Sequence, residues 1–443
     1  MKLVNTHILV SLFLLQLLVV PASMAQQWSL QQCLDSAQLR NKNLQIASNK
    51  MVISDQKQRE AKSNLLPKLT ANGEYKYFTD LPHQLMPLNT FNPLAPASEF
   101  KDVQFGVPHN LNANLQLAIP LYNPKIYGGI EATRIASELS GLEYEKNKEM
   151  VFFEISNLYY NAQILQTQIS FLDSNLSNAN KLLKNLDLLH SHLLITGTDV
   201  EKVHLQIAQL STQKTTVENK LIQVLNALKF TIGIPSDTHF EIEQEIVADK
   251  SNELSPKASI DARMVKIQFE LLNSELKTMN NTRYLPQINL IGSYGTTGFG
   301  YDKKPNAFLD FYPLGFAGIQ ISYPIFNGST TLRKASQKKI EIANNELKSD
   351  LIKDQNAMQI DNAKMQKTTS YLAIETSKQQ VELAQNIYNN TVLQQKQGMA
   401  SLTEVLLADN ALREAQQGHI SAIVEYLKSD LELKKLTGNL LSL

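Results

Sequence analysis

The chain repeats itself once, and the repeat limits what it can fold into. Leu66-Pro67-Lys68-Leu69-Thr70-Ala71-Asn72-Gly73-Glu74-Tyr75 recurs as Leu285-Pro286-Gln287-Ile288-Asn289-Leu290-Ile291-Gly292-Ser293-Tyr294. Pro120-Leu121-Tyr122-Asn123 recurs as Pro324-Ile325-Phe326-Asn327. Each copy sets two short alternating segments among very long amphipathic stretches. Strands of membrane length beside helices of roughly seventy residues imply a tube, part in lipid and part in water.

The alternating segments have two different faces. In the first copy Leu69, Ala71, Gly73, Tyr75 and Tyr77 oppose Thr70, Asn72, Glu74 and Lys76; Leu111, Ala113, Leu115, Leu117, Ile119 and Leu121 then oppose Asn112, Asn114, Gln116 and Ala118. In the second, Ile288, Leu290, Gly292 and Tyr294 are followed by Ala317, Ile319, Ile321 and Tyr323. Period-two patterning over about ten residues suits tilted strands crossing a bilayer. Tyr75, Tyr77, Tyr122, Tyr294 and Tyr323 suit an interfacial aromatic girdle. Four strands cannot close a barrel, and lipid does not tolerate open edges. Either the sheet is a soluble sandwich or several chains pool their strands, and a secretory leader with long helices favours pooling. The long connections, 79–110 and 297–316, read as a lid or packing collar.

The helical stretches are rods. Leu158, Leu165, Leu172, Ala179, Leu186 and Leu193 recur every seven residues, with Ile155, Ala162, Ile169, Leu176, Leu183 and His190 in a second row, the seam of a coiled coil. The first rod turns near 195–200 and returns to Gly233; the second, from Thr330, turns near 397–403 and returns to Gly438. Shorter helices are expected over 29–64 and 257–282. Gln163, Gln166, Gln168, Asn175, Asn178, Asn180 and Asn185 suit a water-filled bore or a solvent face equally.

The bulk numbers exclude other classes. Lys2, an apolar run over Ile8–Val20 and Ser23-Met24-Ala25 form a secretory signal peptide. Basic and acidic residues balance at 42 each, which leaves no electrostatic footprint for nucleic acid. No later run reaches about eighteen apolar residues, so a membrane position requires strands. Cys33, the only cysteine, reads as a buried helix position rather than a lipidated one. No nucleophile–base set, phosphate loop or metal-ligand pattern stands out, so no catalytic residue, cofactor or metal is expected.

With these features in order, the chain resembles the TolC-like outer-membrane efflux protein family over essentially its whole mature length. The resemblance rests on the duplicated Leu-Pro strand starts, the paired Pro-Leu-Tyr-Asn and Pro-Ile-Phe-Asn exits, and the tip Gly398 with Thr403-Glu404-Val405-Leu406-Leu407-Ala408. It implies a mixed α+β membrane protein: a homotrimer with a twelve-stranded transmembrane β-barrel, four strands per chain, continuing into a long α-helical coiled-coil barrel. The implied organisation is a signal peptide at 1–25 and a first repeat at 26–235 with strands 69–78 and 111–121. A linker at 236–256 and a second repeat at 257–443 with strands 287–296 and 317–326 complete it.

The resemblance also implies a place, partners and a gate. The barrel would sit in outer-membrane lipid and the helices in the periplasm. A periplasmic membrane-fusion adaptor and an inner-membrane pump of resistance-nodulation-division or ABC type would be its partners. The duct would passively export small molecules. Alternatives are the exit duct of a type I protein secretion system and, from another class, a non-conducting periplasmic scaffold. Gate candidates carried over from the family are Glu404, Lys202, Asp199, Gln395, Gly197 and Gly398. Pro67, Pro120, Pro286 and Pro324 mark strand–helix junctions.

Overall fold

A computed structural model describes residues 27–246, 257–301 and 310–442. The expected signal peptide, the latter half of the 236–256 linker and the centre of the 297–316 connection lie outside the described residues. The chain forms two compact units. One comprises Met1–Asn49, Leu142–Met264 and Ser349–Leu443, the other Lys50–Gly141 and Val265–Lys348. Each draws on both copies of the repeat, so folding gathers like elements rather than consecutive halves.

The second unit holds a four-stranded antiparallel sheet. Its strands are β1 (Lys68–Tyr77), β4 (His109–Tyr122), β5 (Gln287–Gly300) and β6 (Asp310–Ser322), in the order β1-β4-β5-β6. Between β1 and β4 lies a small ribbon of β2 (His83–Pro87) and β3 (Phe100–Gln104). Register aligns the apolar rows: Leu69 faces Leu117, Leu117 faces Gly292 and Gly292 faces Ala317. The polar rows align too, with Asn72 Nδ2 donating to Asn114 Oδ1 (3.3 Å) and Thr297 Oγ1 to Asn112 Oδ1 (2.9 Å). A sheet so patterned has one oily and one wet side. Both edge strands, β1 and β6, are exposed along nearly their whole length.

One expectation changes here. The last strand, expected over 317–326, runs Asp310–Ser322. Its start escaped notice because Phe311-Tyr312-Pro313-Leu314-Gly315-Phe316 is apolar on both faces, and Tyr323-Pro324 lies beyond its end. The connection at 79–110, read as a lid or packing collar, carries the β2–β3 ribbon.

The helices are α1 (Leu30–Arg40), α2 (Lys42–Ser63), α3 (Pro124–Ser191), α4 (Gly197–Ile232), α5 (Ile260–Tyr284), α6 (Thr330–Lys396) and α7 (Leu402–Leu436). Among the described residues no helix is long and apolar enough to cross a membrane. The helix expected over 29–64 is broken at Asn41. Its Nδ2 donates to the Thr231 carbonyl (2.7 Å) and its Oδ1 accepts from Leu44 N–H (3.0 Å), so one side chain redirects the backbone and caps α2. At 68 residues, α3 is on the order of 100 Å long.

In the helical unit Cys33, Leu34 and Ala37 of α1 pack against Phe152, Ile155 and Tyr159 of α3, Leu228 and Ile232 of α4, and Leu431 of α7. Burial pushes the Cys33 thiol up to about 12, with Glu243 adding to the shift. The described part of the expected linker joins this core. Trp28 N–H donates to the Glu241 carbonyl (2.8 Å), Ile242 is buried, and the Trp28 and Phe240 rings lie 5.4 Å apart.

The α3 seam departs from expectation at its C-terminal end, where His190 is exposed. Leu193 lies past the helix end, in the turn, and is 91% exposed. Gln163 and Asn175 are buried rather than on a wet face. Gln163 Nε2 donates to the carbonyls of Glu243 and Glu245 (2.9 Å each), and Asn175 Nδ2 donates to Gln416 Oε1 on α7 (2.8 Å). Buried amides require such partners.

Candidate functional site

The two helical turns come together. Leu182 and Leu186 of α3, Val203 of α4, Ala384 and Tyr388 of α6, and Val405, Ala408 and Leu412 of α7 form one apolar cluster beside both tips. The duplicated design is visible atom by atom in the turns. Leu193 N–H donates to the His190 carbonyl (2.9 Å) and Leu194 N–H to that of Leu189 (2.9 Å). Gly398 N–H donates to Gln395 (3.0 Å) and Met399 N–H to Gln394 (2.9 Å). This is the helix-ending pattern that places one residue in the left-handed region.

One constant offset thus maps Leu193 onto Gly398, Thr196 onto Ser401 and Asp199 onto Glu404. Gly197, which the sequence suggested as the turn glycine, is instead the first residue of α4, and the left-handed residue is Leu193 (φ 59°). Gly398 takes the same conformation (φ 75°) without a side chain to strain it.

Glu404 is part of a capping box at the start of α7. Its backbone N–H donates to Ser401 Oγ (3.3 Å), and its Oε2 accepts from Ser401 N–H (2.6 Å) and Ser401 Oγ (3.0 Å). Those bonds, the backbone one foremost, hold its carboxyl below the usual range. At the first tip Asp199 accepts from Thr196 Oγ1 (2.8 Å) and pairs with Lys202 Nζ (3.1 Å). Thr196 first, then Lys202, hold the Asp199 carboxyl low. Gln395 is buried, and its Oε1 has no hydrogen-bond partner.

Behind the tip cluster lies a polar clasp that sequence reasoning missed. Asp409 of α7, 2% exposed, accepts from Gln206 Nε2 of α4 (2.6 Å) and pairs with Arg413 Nε (2.9 Å). Burial raises its carboxyl pKa, and Arg413 opposes the rise. Tyr388 is pushed up to about 12, by burial first and Asp409 second. With Asn175–Gln416, this clasp ties α7 of the second hairpin to both helices of the first. The available signal was the seven-residue spacing of Asp409 and Gln416 in an otherwise apolar seam.

The marked prolines occupy two kinds of place. Pro67 and Pro286 directly precede β1 and β5, whereas Pro324 follows β6. Pro120 lies inside β4, where the ladder with β5 slips between Pro120 and Tyr122. A residue without an N–H is tolerated at such an irregularity.

Known proteins share this architecture. Residues 277–439 match the family described as outer membrane efflux protein. The chain is 21% identical over 436 residues to outer membrane protein TolC of Salmonella enteritidis, covering 95% of this chain and 84% of that one. Outer membrane protein TolC of Escherichia coli (strain K12) is 20% identical over 441 residues, with the same coverage. In sequence the chain is similar to TolC along nearly its whole length.

Its fold agrees. The outer membrane protein VceC of Vibrio cholerae superposes with a TM-score of 0.73 at 16% identity, covering 92% of this chain and 96% of VceC. The outer membrane channel CmeC of Campylobacter jejuni gives 0.73 at 15% identity, covering 93% and 85%. The sequence matches place the chain in the outer membrane, and the superpositions give it the mixed helix-and-strand fold of these proteins.

Proposed function

We propose that the protein is the outer-membrane exit duct of an export system, passive itself and supplied by an inner-membrane pump through a periplasmic adaptor. Three copies contribute four strands each to a twelve-stranded barrel, and their helices form a tunnel through the periplasm. The observation that carries this reading is the sheet with two free edges. Among the described residues β1 and β6 are unpaired on their outer sides, and one face of the whole sheet is apolar. In lipid such edges are satisfied only by closure with further copies.

A second support lies on α6. Ile340, Leu347, Leu351, Met358, Met365 and Leu372 are each more than half exposed, mostly at seven-residue steps, an apolar stripe with no cover inside the chain. The tips form the periplasmic gate in this reading. Glu404 from three copies surrounds the axis, with Asp199, Lys202, Gln395, Gly197 and Gly398 shaping the turns. The exported cargo is small molecules, by likeness to the efflux family.

Purified protein in a planar bilayer is expected to give discrete conductance steps. Silence at every voltage would identify a scaffold instead. Deleting the gene is expected to raise drug sensitivity; unchanged sensitivity with a missing secreted protein would redirect the cargo to polypeptide.

A further inference from the structure

The end of β4 carries a pocket that the export reading leaves unused. Ile119 pairs with Leu290 and Pro120 with Asn289, but Tyr122 then pairs with Ile288, so Leu121 is an extra residue. Paired residues share a face, and Ile288 belongs to the apolar row of Leu290, Gly292 and Tyr294. The bulge therefore turns Tyr122 off the polar row, where its even spacing from Gln116 would place it, onto the apolar side. There its ring meets Tyr127 of α3, 5.9 Å between centroids.

Tyr122, Tyr127, Gly128, Glu131, Lys277 and Asn281 line a cavity of about 380 Å³ between α3 and α5. Gly128 sets how closely the two helices approach, because a Cβ there would lie 2.0 Å from Thr278 Oγ1. Lys277 and Glu131 are both exposed. Arg134 grips both Glu131 oxygens, at 2.8 and 3.1 Å, which fixes the carboxylate while leaving each oxygen a further lone pair. The pocket thus joins an aromatic wall to a fixed anion and a flexible cation. β4 and β5 are inner strands, α3 leads out of β4 and α5 leads into β5. The pocket accordingly stands away from the free edges where further copies would join.

We propose that this pocket binds a phospholipid of the periplasmic leaflet with a zwitterionic headgroup. The phosphate meets Lys277 and the Asn281 amide, the ammonium meets Glu131, and the glycerol and first methylenes lie along Tyr122 and Tyr127. Tyrosine and lysine at a bilayer boundary favour this arrangement, since each has an apolar body and a polar tip. The site rests on the barrel reading for its depth in the membrane.

The test is native mass spectrometry of the full protein from nanodiscs holding equal zwitterionic and anionic phospholipid. One zwitterionic lipid per subunit is expected to remain. Lys277→Ala and Tyr127→Ala should each lower the retained fraction about tenfold, in line with losing one charge-assisted or ring contact. Glu131→Gln should shift the preference toward the anionic lipid, and Lys57→Ala, outside the pocket, should change nothing. Retention equal in Lys277→Ala and the parent protein overturns the site. Loss of lipid to inorganic phosphate alone, whatever the headgroup, reduces it to an anion site and also overturns it. The same spectra count subunits: single chains with Lys277-dependent lipid would defeat the trimer and leave the pocket standing, while trimers without such lipid would defeat the pocket alone.

Discussion

At Leu193 a leucine holds a backbone conformation that its counterpart Gly398 adopts freely. The left-handed region costs a side-chain-bearing residue about 1 kcal/mol. Leu193→Gly is therefore expected to stabilise the helical unit by up to about 1 kcal/mol, less the added entropy of an unfolded glycine, read as a shift in the urea midpoint. Glu404→Ala removes one half of a capping box and is expected to lower the urea midpoint. If three such carboxylates ring the axis, the same variant also weakens block by multivalent cations added on the periplasmic side. Unaltered block with the stability loss intact would leave Glu404 as a cap alone. Asp409 behaves oppositely in pH. Its folded pKa lies above the ordinary value of 3.8, so the native state binds the proton more tightly than the unfolded chain does. Stability from this group falls as pH rises from the ordinary value through the raised one, and is greatest on the acid side. Thermal melts across that window should show the slope in the parent protein and its loss in Asp409→Asn.

Among the elements, α6 and α7 divide the work. α7 buries Val405, Asp409, Leu412, Gln416, Tyr426 and Leu431, whereas α6 leaves its apolar stripe outward. If α6 is the seam of the proposed trimer, glutamates at Met358 and Met365 together should leave the chain folded by circular dichroism yet yield single subunits by native mass; a persisting trimer would show that α6 is not the seam. Much of this was legible beforehand. The strands were readable because two unlike faces alternate at Leu69–Tyr77 and Leu111–Leu121, and α3 because its leucines recur at sevens. What escaped had physical causes. Phe311–Phe316 lacks alternation, the five-residue strands β2 and β3 lie among prolines, and Asn41 breaks a helix through two bonds that composition does not announce. The Gln206–Asp409 clasp joins residues 203 apart in sequence, beyond any local pattern. At the first tip glycine is the residue type expected in a left-handed turn, whereas Leu193, of a type that rarely adopts it, holds that place and Gly197 starts the next helix.

For the molecule as a whole, the sheet closes its first strand pair before the ribbon begins, at Tyr77 opposite His109. Replacing residues 80–106 by a short glycine-containing turn should therefore leave subunit count and conductance unchanged; collapse of either would make the ribbon part of the wall. The unequal tips reach further. The two bends share one backbone pattern, yet one carries a strained leucine with an aspartate–lysine pair, the other a relaxed glycine with a serine–glutamate box. In the proposed trimer the rim would alternate two kinds of foothold. Any ring that grips all six must tell odd from even, or arrive as three matched pairs.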